Sequence, residues 1–229
     1  MGEYNEYRKS WIKRETPIAK RTRAAKVFRI LHKENPESKT ALHFKTPMQL
    51  LAAVILSAQS TDKKVNEITD GHLFKKYKTP KDFARANPKT FEKEISQLGL
   101  YKSKAKAILT SASMIQQKFG GKLPRTMESM LTLRGVARKT ANIVLWNAYG
   151  VIAGIAVDTH ARRLAQRLGF TDQDDPKKIE KDLMALVPQK KLWPKVNTLL
   201  VDLGRSTCIA QSPKCAQCPL NKLCPSSRV

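Results

Sequence analysis

The chain has 229 residues, enough to bury a sizeable core as one large domain or two small ones. Its 43 Lys and Arg against 19 Asp and Glu leave a formal charge of +24, an excess of one sign that points to a polyanionic partner, nucleic acid ahead of a membrane surface. The most apolar run, Leu50 to Ala58, is about half of what a membrane-spanning helix needs, and Met1 to Ser10 carries no apolar signal core, so a cytoplasmic protein without a membrane anchor is expected.

Apolar residues recur at helical spacing, strand-like alternation is scarce and no repeat is visible, so the fold class is all-α. Residues 1 to about 23 read as a basic, weakly patterned arm, followed by a helix on the Val27, Ile30, Leu31 stripe that ends before Pro36. Pro47 opens a helix running through Ser57, and Ser60 or Thr61 caps another starting near Asp62. Further helices are predicted over Pro80 to Ala86, Pro88 to Gln97, Ser103 to Phe119 and Thr126 to Leu131, with Gly99 and the Gly120, Gly121 pair marking ends.

The segment Leu131 to Asn142 predicts a short helix, a tight turn at Gly135, and a second helix with the apolar stripe Ala141, Val144, Leu145, Ala148, stopped by Gly150. Such a turn aims backbone N–H groups outward from a helix N-terminus, where a phosphate oxygen can accept them, so it grips DNA without reading its sequence. Lys139 falls in the first turn of that second helix, where the partial positive charge disfavours an ammonium. Asp158 precedes Thr159 to Leu168 as a helix N-cap, with Gly169 as the stop; a capping carboxylate is also suited to stabilise positive charge nearby. His160 reads as a surface residue or as support for Asp158.

The cysteines Cys208, Cys215, Cys218 and Cys224 all fall in the last segment, with six, two and five residues between them and Pro213, Pro219 and Pro225 interleaved. That clustering argues for a metal site rather than disulfides. Structural zinc sites bring two close pairs, whereas only Cys215 and Cys218 form one here. With so few large apolar side chains, the tail should need the metal to hold it on the body.

Leu133-Arg-Gly-Val-Ala-Arg-Lys-Thr-Ala141 resembles the helix-hairpin-helix of endonuclease III type DNA glycosylases. Ala153 to His160, Leu56 to Asp62, Leu98 to Ala105 and the cysteine spacing resemble further segments of that family, so the likeness runs over about residues 24 to 225. It implies two helical lobes with DNA in the groove between them. One is a helical barrel domain over 41–151 bearing the hairpin; the other is a discontinuous iron-sulfur domain made of 24–40 and 152–229. It implies a [4Fe-4S] cluster on the four cysteines, Lys139 as nucleophile and Asp158 as the catalytic carboxylate. DNA contacts are implied at Arg134, Gly135, Ala137, Arg138, Thr140 and His160, with Lys214 and Lys222 as phosphate contacts or solvated charges.

An enzyme that works on a base in duplex DNA must turn the nucleotide out of the stack and fill the gap. Gln59 and Leu100 match the two inserting positions, against the plainer readings of a loop-capping amide and a core leucine. The expected activity is a bifunctional glycosylase and abasic-site lyase on oxidised or ring-saturated pyrimidines such as thymine glycol, with damaged double-stranded DNA as partner and the monomer as working state. Two alternatives are a mismatch or uracil glycosylase, which lysine at 139 disfavours, and a non-catalytic DNA-binding relative. The family pattern has proline and glycine where this chain has Arg134 and Ala137, a departure expected to weaken the hairpin grip unless Arg134 compensates.

Overall fold

The computed structural model describes residues 8–229 and, among them, contains helices and turns but no strand. The first seven residues of the segment read as an arm lie outside the described residues. After a short 3-10 turn at Ser10–Arg14 come α1 (Pro17–Glu34), α2 (Pro47–Leu56), α3 (Asp62–Ile68), a π-helical turn (Thr69–Leu73), α4 (Phe74–Lys76), α5 (Pro80–Ala84) and α6 (Pro88–Glu94). Then follow α7 (Tyr101–Lys118), α8 (Met127–Leu131), α9 (Arg138–Tyr149), α10 (Thr159–Arg167), α11 (Pro176–Leu186) and α12 (Trp193–Ser206).

Local chemistry explains the starts. Thr16, Thr46, Thr61, Asn87, Thr126, Asp158 and Asp175 each accept a backbone N–H at an N-cap, and Thr79 forms a reciprocal capping box with Asp82. Proline occupies the first turn of α1, α2, α5, α6, α11 and α12, where its missing N–H costs nothing. The helix expected from the Val27 stripe begins earlier, at Pro17 and inside the segment read as an arm, because Thr16 and Pro17 form a complete start signal. Gly99 does not end a helix; α6 stops at Glu94 and the left-handed residue is Leu100, whereas Gly120 and Gly121 do close α7 with φ of 58° and 73°.

The described chain forms two compact units, Ala41–Ala153 and the described part of Met1–Thr40 with Gly154–Val229. The first is built around α2, which is buried from Met48 through Leu56 and touches α7 and α9. A helix apolar on every face belongs at the centre of a core, and Ala105, Ile108, Ala112 and Ile115 of α7 and Ala141, Val144 and Leu145 of α9 join it there. The one polar residue of α2 is satisfied, since the Gln49 amide donates to the carbonyls of Phe74 and Tyr77 and accepts from the Lys45 N–H.

The second unit packs α1, α10, α11 and α12 around Phe28, Leu164, Phe170, Leu183 and Leu200. The cysteine-bearing tail contributes to this core: Leu220 is fully buried, and Cys208, Cys218, Leu223 and Cys224 pack against it. Apolar burial therefore contributes to holding the tail, though through few side chains; one buried leucine contributes about 1.5–3 kcal/mol.

Candidate DNA interface and iron-sulfur site

The hairpin is α8, the turn from Thr132 to Ala137, and α9. Leu133 and Val136 are buried and hold the turn down, while Gly135 crosses it with φ 75°. A Cβ on Gly135 would sit 2.7 Å from the Cβ of Ala107, so glycine is required both by conformation and by space. The carbonyl of Arg134 accepts from the fully buried Ser111 hydroxyl at 2.8 Å, which bolts the turn to α7 and leaves the Arg134 side chain exposed. Ala137 is the N-cap of α9 at φ −95°, and its methyl offers no acceptor to the first N–H groups of the helix. At this φ the position needs no left-handed backbone, so alanine here costs only the space its methyl takes from an approaching group. Arg138 and Lys139 are half-buried, and Thr140, 9 % exposed, is buried; what it presents at the start of α9 is its backbone.

Gln59 and Leu100 are the two non-glycine residues with positive φ among the described residues, at 53° and 58°. Both are exposed, Leu100 to 57 %, so the core reading of Leu100 falls. Their loops are neighbours: the Gln59 carbonyl oxygen lies 3.7 Å from where a Cβ on Gly99 would be. Left-handed backbone at a residue with a Cβ is disfavoured, and here two such residues lie side by side and face solvent.

Asp158, in the other unit, caps α10 by accepting the Ala161 N–H at 2.7 Å through Oδ1. His160 is half-buried, with Nδ1 3.3 Å from the Arg163 guanidinium and the Gly204 backbone against its ring. Burial pushes its pKa down, with Arg163 and Arg205 adding to the shift and Asp158 opposing it. The ring is thus wedged between Arg163 and the Gly204 backbone of α12.

The four cysteines line one cavity with Arg167, Lys214 and Asn221. Among the described residues no three His, Cys, Asp or Glu are gathered tightly enough to hold one ion, and the donor set is thiol alone. Four thiols and no other donor are the soft set that an iron-sulfur cluster takes. Arg167 donates from Nη1 to the Cys208 sulfur at 3.2 Å and to the Ile209 carbonyl at 2.8 Å, a placement that suits a thiolate. Burial raises the Cys218 thiol and pushes Cys224 up to about 11, so metal binding must displace those protons. Lys214 and Lys222 are exposed beside the ligands.

Several residues that organise these sites escaped the sequence reading. Lys104 and Ser111 fall on the buried α7 stripe with Ile108, Ala112 and Ile115, and a polar residue on such a stripe was the available signal. Arg163 and Arg167 sit one turn apart on α10 and had no comparable mark.

Residues 52–189 match the HhH-GPD superfamily of base excision DNA repair proteins, and residues 208–224 match the iron-sulfur binding domain of endonuclease III. The fold and site therefore define a DNA repair enzyme of the helix-hairpin-helix class. The endonuclease III of Synechocystis sp. is 44 % identical over 210 residues, covering 92 % of this chain and 95 % of the relative. A solved non-covalent endonuclease III–DNA complex matches with a TM-score of 0.85 at 40 % identity, covering 91 % of this chain and 96 % of that one. A trapped endonuclease III–DNA covalent intermediate matches with a TM-score of 0.85 at 39 % identity, covering 91 % and 97 %. The chain belongs to the endonuclease III family: it is a DNA-binding base excision repair glycosylase whose cofactor is a [4Fe-4S] cluster. No helix among the described residues is long and apolar enough to cross a membrane.

Proposed function

We propose that this enzyme is bifunctional, a glycosylase and abasic-site lyase acting as a cytoplasmic monomer on oxidised or ring-saturated pyrimidines such as thymine glycol in double-stranded DNA. The observation that carries the reading is a lysine, Lys139, half-buried in the first turn of α9 directly beside the phosphate-gripping turn. In this reading the backbone N–H groups of Gly135 and of Ala137 to Thr140 hold the phosphodiester, with Arg134 and Arg138 adding charge. Gln59 and Leu100 enter the space left by the flipped nucleotide. The neutral amine of Lys139 forms a bond to the sugar C1′ as the bond to the base breaks, the base leaving with the electron pair. Asp158 stabilises the positive charge that develops on the sugar and takes the proton released by the Lys139 nitrogen. The C1′–O4′ bond then breaks, O4′ taking up a proton, which gives the Schiff base. Loss of a C2′ proton to a base expels the 3′ phosphate with the C3′–O electron pair, a β-elimination that nicks the strand. Cys208, Cys215, Cys218 and Cys224 would hold the cluster, whose contribution when bound is to fix the tail on its unit. The rival mismatch or uracil glycosylase would not need an amine at residue 139.

Borohydride trapping on thymine-glycol and abasic-site duplexes tests this directly. Wild-type protein should trap, and Lys139→Ala should not, while keeping most of its duplex affinity because one charge of so many is lost. Trapping that survives in Lys139→Ala would mean that another amine is the nucleophile. Asp158→Asn should slow base release by orders of magnitude with little loss of stability, since Asn caps a helix about as well as Asp. Unchanged base release would remove Asp158 from the chemistry.

A further inference from the structure

Lys104, in the first turns of α7, is 4 % exposed. Its Nζ donates to the Leu56 carbonyl at 2.8 Å and to the Ser60 hydroxyl at 3.0 Å, and burial lowers its pKa. Leu56 is the last residue of α2, so its carbonyl has no partner within its own helix, and Ser60 directly follows Gln59. The amine thus brackets the left-handed Gln59 from both sides. The backbone N–H of the same residue donates to the Leu100 carbonyl at 3.0 Å, closing the first turn of α7 behind the second left-handed residue.

We propose that Lys104 is a positioning residue that ties the Gln59 and Leu100 loops into one rigid wedge and so sets how far Gln59 reaches toward the base opposite the flipped nucleotide. The proposal rests on the reading of Gln59 and Leu100 as the inserting residues. A buried amine packs less favourably on an apolar stripe than a methionine of similar size, so its return lies in the geometry that it imposes. Gln59 has no glycine-like freedom, and nothing in its own side chain favours φ 53°. Without the tie the loop relaxes toward ordinary backbone angles and Gln59 turns away. Lys104 reaches no substrate in this scheme; it acts through Gln59.

The test uses the holoenzyme and two substrates. On a thymine-glycol duplex, Lys104→Met should lower excision about tenfold, the scale of losing hydrogen bonds from a charged donor. Lyase action on a single-stranded abasic oligonucleotide, which needs no wedge, should fall far less. Insertion is read without chemistry by 2-aminopurine placed opposite a non-cleavable abasic analogue, and Lys104→Met should weaken that fluorescence change as Gln59→Ala does. Lys104→Arg, which keeps the donors, should recover part of both signals, and in a Gln59→Ala background Lys104→Met should add little. Should Lys104→Met fold poorly, Ser60→Ala removes one acceptor and should shift both readouts in the same direction. Wild-type duplex rates in Lys104→Met, equal losses on both substrates, or full additivity with Gln59→Ala would each overturn the proposal. A Gln59→Ala variant with normal excision and a normal fluorescence change would instead overturn the wedge reading itself.

Discussion

Gly135 shows how one residue carries both fold and site. Its φ of 75° costs an L-residue about 1–2 kcal/mol, and the Cβ would press at 2.7 Å on the Cβ of Ala107, a side chain too short to swing aside. Moving α7 to make room adds about 1–3 kcal/mol of overpacking. Gly135→Ala should therefore lose roughly 2–5 kcal/mol of stability and weaken duplex binding. Ala107→Gly in the same chain removes the clash but not the strained φ, so it should restore only part of the loss. Because Ala107→Gly alone costs about 1 kcal/mol in a helix interior, thermal melts of both single variants and the double decide it, and strict additivity of the two losses would mean that the clash contributes nothing. Gln59 and Leu100 stand out in the sequence only by likeness to the family, because no residue type at either position announces a left-handed backbone. Gly135 was legible on its own chemistry, and so was Asp158, whose capping bond follows from its place before Thr159.

Among the elements, helix starts were more legible than helix ends. A Thr, Asn or Asp before a proline names a start in two residues, as at Thr46–Pro47 and Asn87–Pro88, while ends such as Glu94 are set by where the core stops. The same signal stands at Asp175–Pro176, where it opens α11, whereas α12 starts at Trp193 without a side-chain cap. The largest departure is the segment before α1. Arg23, buried in α1, holds Glu15 by two bonds of 2.7 and 2.8 Å, and stacks on Trp11 and Phe170. It also donates to the Leu168 carbonyl at 2.7 Å and the Leu223 carbonyl at 3.3 Å, the latter next to Cys224. A basic residue inside a basic stretch gives no hint that it is the centre of a buried network. Arg23→Met strands a buried carboxylate, which should destabilise the protein by about 3–5 kcal/mol. It should also loosen the Cys224 loop, so that visible absorbance of the cluster bleaches faster in air. Adding Glu15→Leu should recover most of the stability. Equal bleaching rates in wild type and Arg23→Met would separate this network from the cluster.

For the whole molecule, charge governs affinity. If every one of the 19 acidic residues were paired with a base, a formal +24 would remain, so binding to any duplex should be tight at low salt and fall steeply as salt rises. Against that background a single phosphate contact is better seen in the slope of log affinity against log salt than in affinity alone. Arg134 is the contact to test. Its side chain is exposed, its carbonyl is held by Ser111, and it stands where the family pattern has proline. Because Ala137 has ordinary backbone angles, its methyl can hinder a phosphate only by taking up space, and Arg134 needs to offset no conformational strain. Ala137→Gly should therefore tighten duplex binding modestly without changing the slope, since no charge is altered. It should also raise stability slightly, because glycine is a better N-cap than alanine. Arg134→Pro should weaken binding and reduce the magnitude of the slope by about 0.9, the value for one phosphate contact. Combining the two should bring affinity back toward wild type while leaving the slope reduced, a pattern that general damage to the hairpin would not produce. Binding isotherms over a salt series measure both quantities, and an unchanged slope in Arg134→Pro would show the arginine to be solvated surface.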